Sequence, residues 1–269
     1  DGNTKIEVTY KEEKEVIDVV VTNLYTLPKI NNKKPYLTCN LYTAEEESIL
    51  DSSLKFKINS SGYKTRAGVV TSARFLTLQF KNRISYFYEN GRLVNYGDQD
   101  YADGEGRYYH EGLYLTENKF KTIKASVNGP AAWGCPLYVD LFEREEKNGL
   151  DCSGFVSWAL LNGGFDVGDV GAGIDPERTD DLDDLGEKMK VNESDFDPSK
   201  IKVGDLFSRY GHIGILIGKD NDTFYIAEAL DYDLHVLTMT SKEILESEWL
   251  YVILMDDLYK KDGNLKEMW

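Results

Sequence analysis

The chain has 269 residues, 41% hydrophobic and 29% charged, enough to bury one sizeable core with or without a small partner domain. Its formal net charge of −16 argues against DNA, RNA, anionic lipid or an anionic cell wall as electrostatic partners, since all of these need basic surfaces. No apolar run approaches the roughly 18 residues of a membrane span, and the three cysteines form no C-x-x-C pair, so neither a zinc site nor a disulfide framework is expected, although a Cys39–Cys135 bridge stays open.

The chain opens at Asp1 with no Met and no signal-like apolar stretch, which reads as a trimmed or mature form and leaves export undecided. Residues 5–10 and 16–25 are rich in β-branched side chains and predict two strands. Residues 28–35 read as a loop, 36–42 allow a short strand, and Thr43 opens a helix running to about Ile58, closed by Ser60-Ser61-Gly62. Residues 1–62 are therefore expected to form a small accessory region, and 63–269 the main domain. Residues 66–80 resume helical spacing through Val69, Val70, Ala73, Leu76 and Phe80, followed by Ile84-Ser85-Tyr86-Phe87-Tyr88. From about 92 to 148 the chain is irregular and rich in Tyr and Gly, a long insertion of the kind that rims a site; His110 lies in it.

The stretch from Gly149 to Gly164 organises the rest. Cys152, Phe155, Val156, Ala159 and Leu160 fall at i, i+3, i+4, i+7 and i+8, with Asp151 at the N-cap position and Asn162-Gly163-Gly164 as the stop. A buried helix thus begins with a cysteine in its first turn, where unpaired N–H groups and the positive end of the dipole favour thiolate. A small core cysteine is the alternative. Residues 166–190 are acidic and loop-like; Asp180-Asp181-Leu182-Asp183-Asp184 lacks the order of a calcium loop and reads as a solvated lid.

From Ile201 the pattern turns to closely connected strands around 203–207, 212–218, 223–229, 234–238 and 250–255. A Thr240–Glu243 capping box opens one short helix among them. These elements predict an α+β layout, with an antiparallel sheet facing the cysteine helix. A nucleophilic cysteine needs a base, and only His110, His212 and His235 are available. His212 begins an apolar strand and shares a face with Gly214, Leu216 and Gly218, so two glycines leave space beside it. His235 reads as a surface or satisfied histidine, and His110 is the reserve candidate. Glu228 is the candidate orienter. If His212 stands directly opposite Glu228, with Ile217 opposite Thr223, the two share a face; a register one residue away puts them on opposite faces. Both loops remain open at this level.

Leu150-Asp151-Cys152-Ser153-Gly154-Phe155-Val156, Val203-Gly204-Asp205-Leu206, Gly211-His212-Ile213-Gly214-Ile215 and Ile226-Ala227-Glu228-Ala229 together resemble the NlpC family of papain-like cell-wall endopeptidases, over roughly residues 66 to 256. The resemblance implies a papain-like cysteine peptidase with an N-terminal catalytic helix packed on the sheet, acting on peptidoglycan stem peptides at a γ-D-glutamyl bond to a diamino acid. Cys152 would be the nucleophile, His212 the base and then acid, and Glu228 the third member, a place the family more often gives to His, Asn or Gln. Substrate contacts would map onto Tyr86, Asp151 and Ser153, with Trp133-Gly134-Cys135 a rival to Tyr86 as the family's aromatic segment. No metal or cofactor is implied, and the implied location is the bacterial envelope or exterior. A papain-like amidase or acyltransferase on another substrate, and a catalytically inert wall-binding protein, are the other readings.

Overall fold

The computed structural model describes residues 2–10, 13–21, 27–31, 44–81, 83–84, 86, 150–167, 171–173, 181–231 and 233–267. The expected strand at 36–42, the insertion at 92–148 with His110 and Trp133, and Cys39 and Cys135 lie outside these residues. Strands β1 (Gly2–Tyr10) and β2 (Glu13–Val21) form an antiparallel hairpin in register from Gly2 opposite Val21 to Tyr10 opposite Glu13.

Three helices carry one layer. α1 (Ala44–Ser61) closes onto α2 (Arg66–Arg74), burying Leu54 and Ile58 in the main core, and its last residue shares a 2.6 Å hydroxyl hydrogen bond between Ser61 and Thr71. α1 thus carries apolar side chains that α2 and the core cover. α2 starts at Thr65, whose hydroxyl accepts from Gly68 N, and passes into a π turn (Phe75–Gln79) closed by Phe80 N donating to Phe75 O at 2.8 Å. The single helix expected over 66–80 is thus two segments. α3 (Cys152–Asn162) is buried along nearly its whole length and lies against α2. Their close approach depends on glycine: a Cβ on Gly163 would sit 2.8 Å from Val69 Cα.

The second layer is a six-stranded antiparallel sheet in the order β3-β8-β4-β5-β6-β7, where β3 is Glu187–Lys190, β4 Leu206–Arg209, β5 His212–Asp220, β6 Thr223–Leu230, β7 Asp233–Thr240 and β8 Tyr251–Leu254. The short helix α4 (Ser241–Leu245) has its capping box: Glu243 N donates to Thr240 Oγ1, and Thr240 N to Glu243 Oε2. α5 (Asp256–Tyr259) follows β8. The molecule is α+β, with α1, α2 and α3 on one side of an antiparallel sheet.

Both faces of the sheet are covered, which explains why β5 reads as a nearly continuous apolar run. Ile213, Ile215, Ile217, Ala227 and Ala229 pack with Phe155, Val156 and Leu160 of α3. Phe207, Leu216, Phe224 and Ile226 form a separate core with Ile244, Trp249 and Val252 on the other side. The buried Arg66 ties the layers together: its guanidinium donates to Asp205 Oδ1 at 2.7 Å and Val203 O at 2.8 Å, pairs with Asp256, and lies 4.7 Å from the Tyr259 ring centre. An unpaired charge at that depth would be costly, and the paired one fixes α2 against the strand ends. The acidic stretch expected as a solvated lid is otherwise at its C-terminal end. Asp181 and Asp183 are buried, Asp183 pairs with Lys188 at 3.3 Å, and Glu187–Lys190 forms the edge strand beside β8.

Candidate active site

The site is built at the first residues of α3 and β5. Asp151 caps α3: its Oδ1 accepts from Gly154 N at 2.6 Å and from Ser153 Oγ at 3.2 Å. Both side chains are buried in the cap, so the positions mapped to substrate binding serve the helix terminus. Cys152 follows as the first helical residue and is buried. Its sulfur lies in the field of the helix N-terminus. Across from it, Gly211 turns the chain into β5 with φ at 67°, a conformation that favours glycine, and among the described residues a Cβ there would meet nothing within 4 Å. Cys152 Sγ is 3.9 Å from the Gly211 carbonyl oxygen. The thiol is thus brought to the residue adjoining His212.

His212 is the first residue of β5, on the face opposite Ile213 and Ile215, so α3 and the imidazole reach the strand's start from different sides of the sheet. The ring is 4% exposed. Its Nε2 is 2.8 Å from Glu228 Oε2, and its face stacks on Trp249 with centroids 5.6 Å apart and planes 24° from parallel. The Arg209 guanidinium, paired with Glu248, lies 6.0 Å from the centre of that indole. A polar ring held on one edge and one face has little rotational freedom left.

The His212–Glu228 pair arises from a register that neither expectation contained. Asp220 pairs with Thr223 across the two-residue turn Asn221-Asp222, with Asn221 at φ 49°. A bulge between Leu216 and Gly218 then shifts the ladder, so that Gly214, not His212, stands opposite Glu228. His212 shares a face with Gly214 and reaches Glu228 diagonally. The glycines do not leave the open space expected of them. A Cβ on Gly214 would lie 2.9 Å from Ile226 Cγ2 and 3.4 Å from Glu228 Cβ, and Gly218, turned to the other face by the bulge, is covered by Pro28. They permit close approach instead.

Glu228 is 1% exposed and bonds on both oxygens: Oε2 to His212 and Oε1 to His235 Nε2 at 3.1 Å. Burial alone would raise its carboxyl, but the two histidine hydrogen bonds outweigh burial and hold it down at about 2, from 4.5. It is a carboxylate, an acceptor only, so His212 Nε2 must carry the proton between them.

Tyr86 is half-buried against the main core. Arg83 lies 3.8 Å from Asp233, while Arg92, Arg107 and Arg178 are outside the described residues. Among the described residues no group of three His, Cys, Asp or Glu side chains could hold a metal ion, and no helix is long and apolar enough to cross a membrane. His235, read from the sequence as a surface or satisfied histidine, belongs to the site, and Trp249 escaped the sequence reading. His235 was legible in principle, because a two-residue turn after Leu230 places it directly opposite Glu228. Trp249 carried no signal, since its loop reaches His212 only through tertiary packing. Comparison of the chain with family models, with curated proteins and with solved structures found no match.

Proposed function

We propose that the protein is a papain-like cysteine peptidase that hydrolyses peptidoglycan stem peptides at a γ-D-glutamyl–diamino acid bond, using Cys152, His212 and Glu228. The observation that carries the reading is a buried imidazole held by a carboxylate at 2.8 Å, one residue from the carbonyl that the helix-terminal cysteine contacts at 3.9 Å. A base and its orienter in hydrogen-bond contact, with a thiol at a helix N-terminus against the neighbouring residue, supply the groups that nucleophilic catalysis uses.

With Nε2 given to Glu228, Nδ1 is the nitrogen that serves the sulfur, across the corner made by Gly211. Cys152 passes its thiol proton to His212 Nδ1, the thiolate attacks the scissile carbonyl carbon, and the backbone N–H of Cys152 donates to the oxyanion. The C–N bond breaks as His212 delivers a proton to the leaving amine, giving a thioester. Water then adds to the thioester while His212 takes its proton, the acid leaves, and the thiol is restored. Glu228 keeps the imidazole in one tautomer and stabilises its cationic form. The acidic surface does not oppose this, because a stem peptide enters a local site and need not dock on the whole field.

Digestion of defined muropeptides by wild type and Cys152→Ala, read by mass spectrometry, tests the proposal. Release of a free acid and a free amine by the wild type alone supports it. Intact muropeptides with wild type, or transfer to an added amine in place of hydrolysis, refute it.

A further inference from the structure

Glu228 is held from two sides, and only one of them belongs to the triad. His235 stands directly opposite it on β7, and the order His212, Glu228, His235 runs across three adjacent strands on one face of the sheet. His235 Nε2 is 3.1 Å from Glu228 Oε1; its Nδ1 is 3.2 Å from the Asp233 carbonyl oxygen and 3.4 Å from Asp233 Oδ1. Every one of these partners is an acceptor. An imidazole bonded to acceptors at both nitrogens needs a proton on each, so the geometry calls for the cation. His212 differs, since only one of its nitrogens is given to a carboxylate.

We propose that His235 is a positioning residue of this site: as an imidazolium it holds Glu228 by the oxygen that His212 does not use, and so fixes the oxygen that His212 does use. The inference rests on the Cys152, His212 and Glu228 reading and extends it to a fourth side chain. The need for it follows from burial. A carboxylate that is 1% exposed needs a countercharge beside it. His235, about one-third exposed, supplies that charge at lower desolvation cost. Among the described residues, the charged groups facing its ring are Glu228 of β6, with His212 of β5 beyond it, and Asp233 on its own strand, itself beside Arg83 of the segment after α2. The hydrogen bond to Glu228 outweighs burial and raises His235 above its ordinary 6.5, in agreement with the geometry.

The test uses the whole chain and two readouts. In nitrogen-15 spectra of the histidine rings, His235 should show both nitrogens protonated at about pH 7, with a midpoint above the ordinary histidine value that Glu228→Gln brings down. Iodoacetamide alkylation of Cys152 is then followed against pH in wild type, His235→Ala and His235→Gln, with thermal melting as the check on folding. His235→Ala should lower the rate at neutral pH about tenfold, and His235→Gln, which keeps a donor toward Glu228 but does not titrate, should restore most of it and lack the inflection that deprotonation of His235 puts into the wild-type profile. A His235 ring neutral at pH 7, or an alkylation profile in His235→Ala identical to that of wild type, overturns the proposal. Because neither readout involves a substrate, failure to cleave muropeptides with both readouts as expected would count against the peptidase reading alone.

Discussion

Glu228→Gln is the most informative single change, because it removes one charge and little volume. The carboxyl stands at about 2 in the folded protein against 4.5 for the ordinary group. At about 1.36 kcal/mol per unit, this corresponds to roughly 3 kcal/mol of stabilisation. Solvent screening does not erode that figure, since the side chain is 2% exposed. A depressed carboxylate stabilises fully above its unfolded value and loses that contribution as pH falls through the folded one, so the loss runs from about pH 4.5 down to about pH 2. The raised His235 acts with the opposite sign: its contribution is complete below the unfolded 6.5 and declines as pH rises through the folded value. The buried pair is therefore at full strength between roughly pH 4.5 and 6.5. Urea unfolding of wild type and Glu228→Gln at about pH 6 and about pH 3 isolates the acid side, because every other carboxylate is common to both proteins. Wild type should lose about 2 kcal/mol more than the variant between these two conditions. Parallel losses would refute the reasoning, for Glu228 would then not be held ionised by the histidines.

Two further changes probe the frame around the pair. Gly214→Ala places a Cβ 2.9 Å from Ile226 Cγ2 and 3.1 Å from Ala227 O, pushing β6 away from β5 at the rung of Glu228; alkylation of Cys152 should slow about tenfold or more if the His212–Glu228 bond lengthens beyond contact, and an unchanged rate would show that the pair tolerates the shift. Trp249→Ala removes the indole that stacks on His212 and fills the second core; the expected cost is about 3–5 kcal/mol in urea unfolding, and a loss below about 1 kcal/mol would mean that the indole packs less fully than its burial indicates.

The sequence carried the elements whose causes are local. Helix α3 was legible because Asp151, the apolar spacing and the glycine stop all lie within its own stretch, and the Thr240–Glu243 box for the same reason. The antiparallel sheet followed from short connections between β-branched runs. What escaped depended on partners distant in sequence. Nothing near residue 62 tells that Leu54 and Ile58 pack on α2, and nothing in the acidic run tells that Asp183 finds Lys188 and a buried place. The glycines of β5 misled in an instructive way: absence of a side chain was read as vacant space, whereas Ile226, Glu228 and Pro28 occupy it.

The central pairing was legible only as a question of parity, and its answer depends on a residue outside the pair. The turn after Asp220 sets Asp220 opposite Thr223, and that register carried through unchanged would place Ile215 opposite Glu228, turning the carboxylate toward α3 and away from His212. The extra residue, Ile217, reverses the parity. Its carbonyl oxygen accepts from Arg74 Nε at 2.7 Å, a fully buried guanidinium brought from α2. A bulge leaves ladder groups without their strand partners, and a buried carbonyl in that position is costly unless something else bonds it. Arg74 supplies that bond. Helix α2, which contributes no group to the chemistry, therefore stabilises the one irregularity that puts His212 and Glu228 on the same face. The site is set as much by an arginine behind the sheet as by the histidine and carboxylate in front of it.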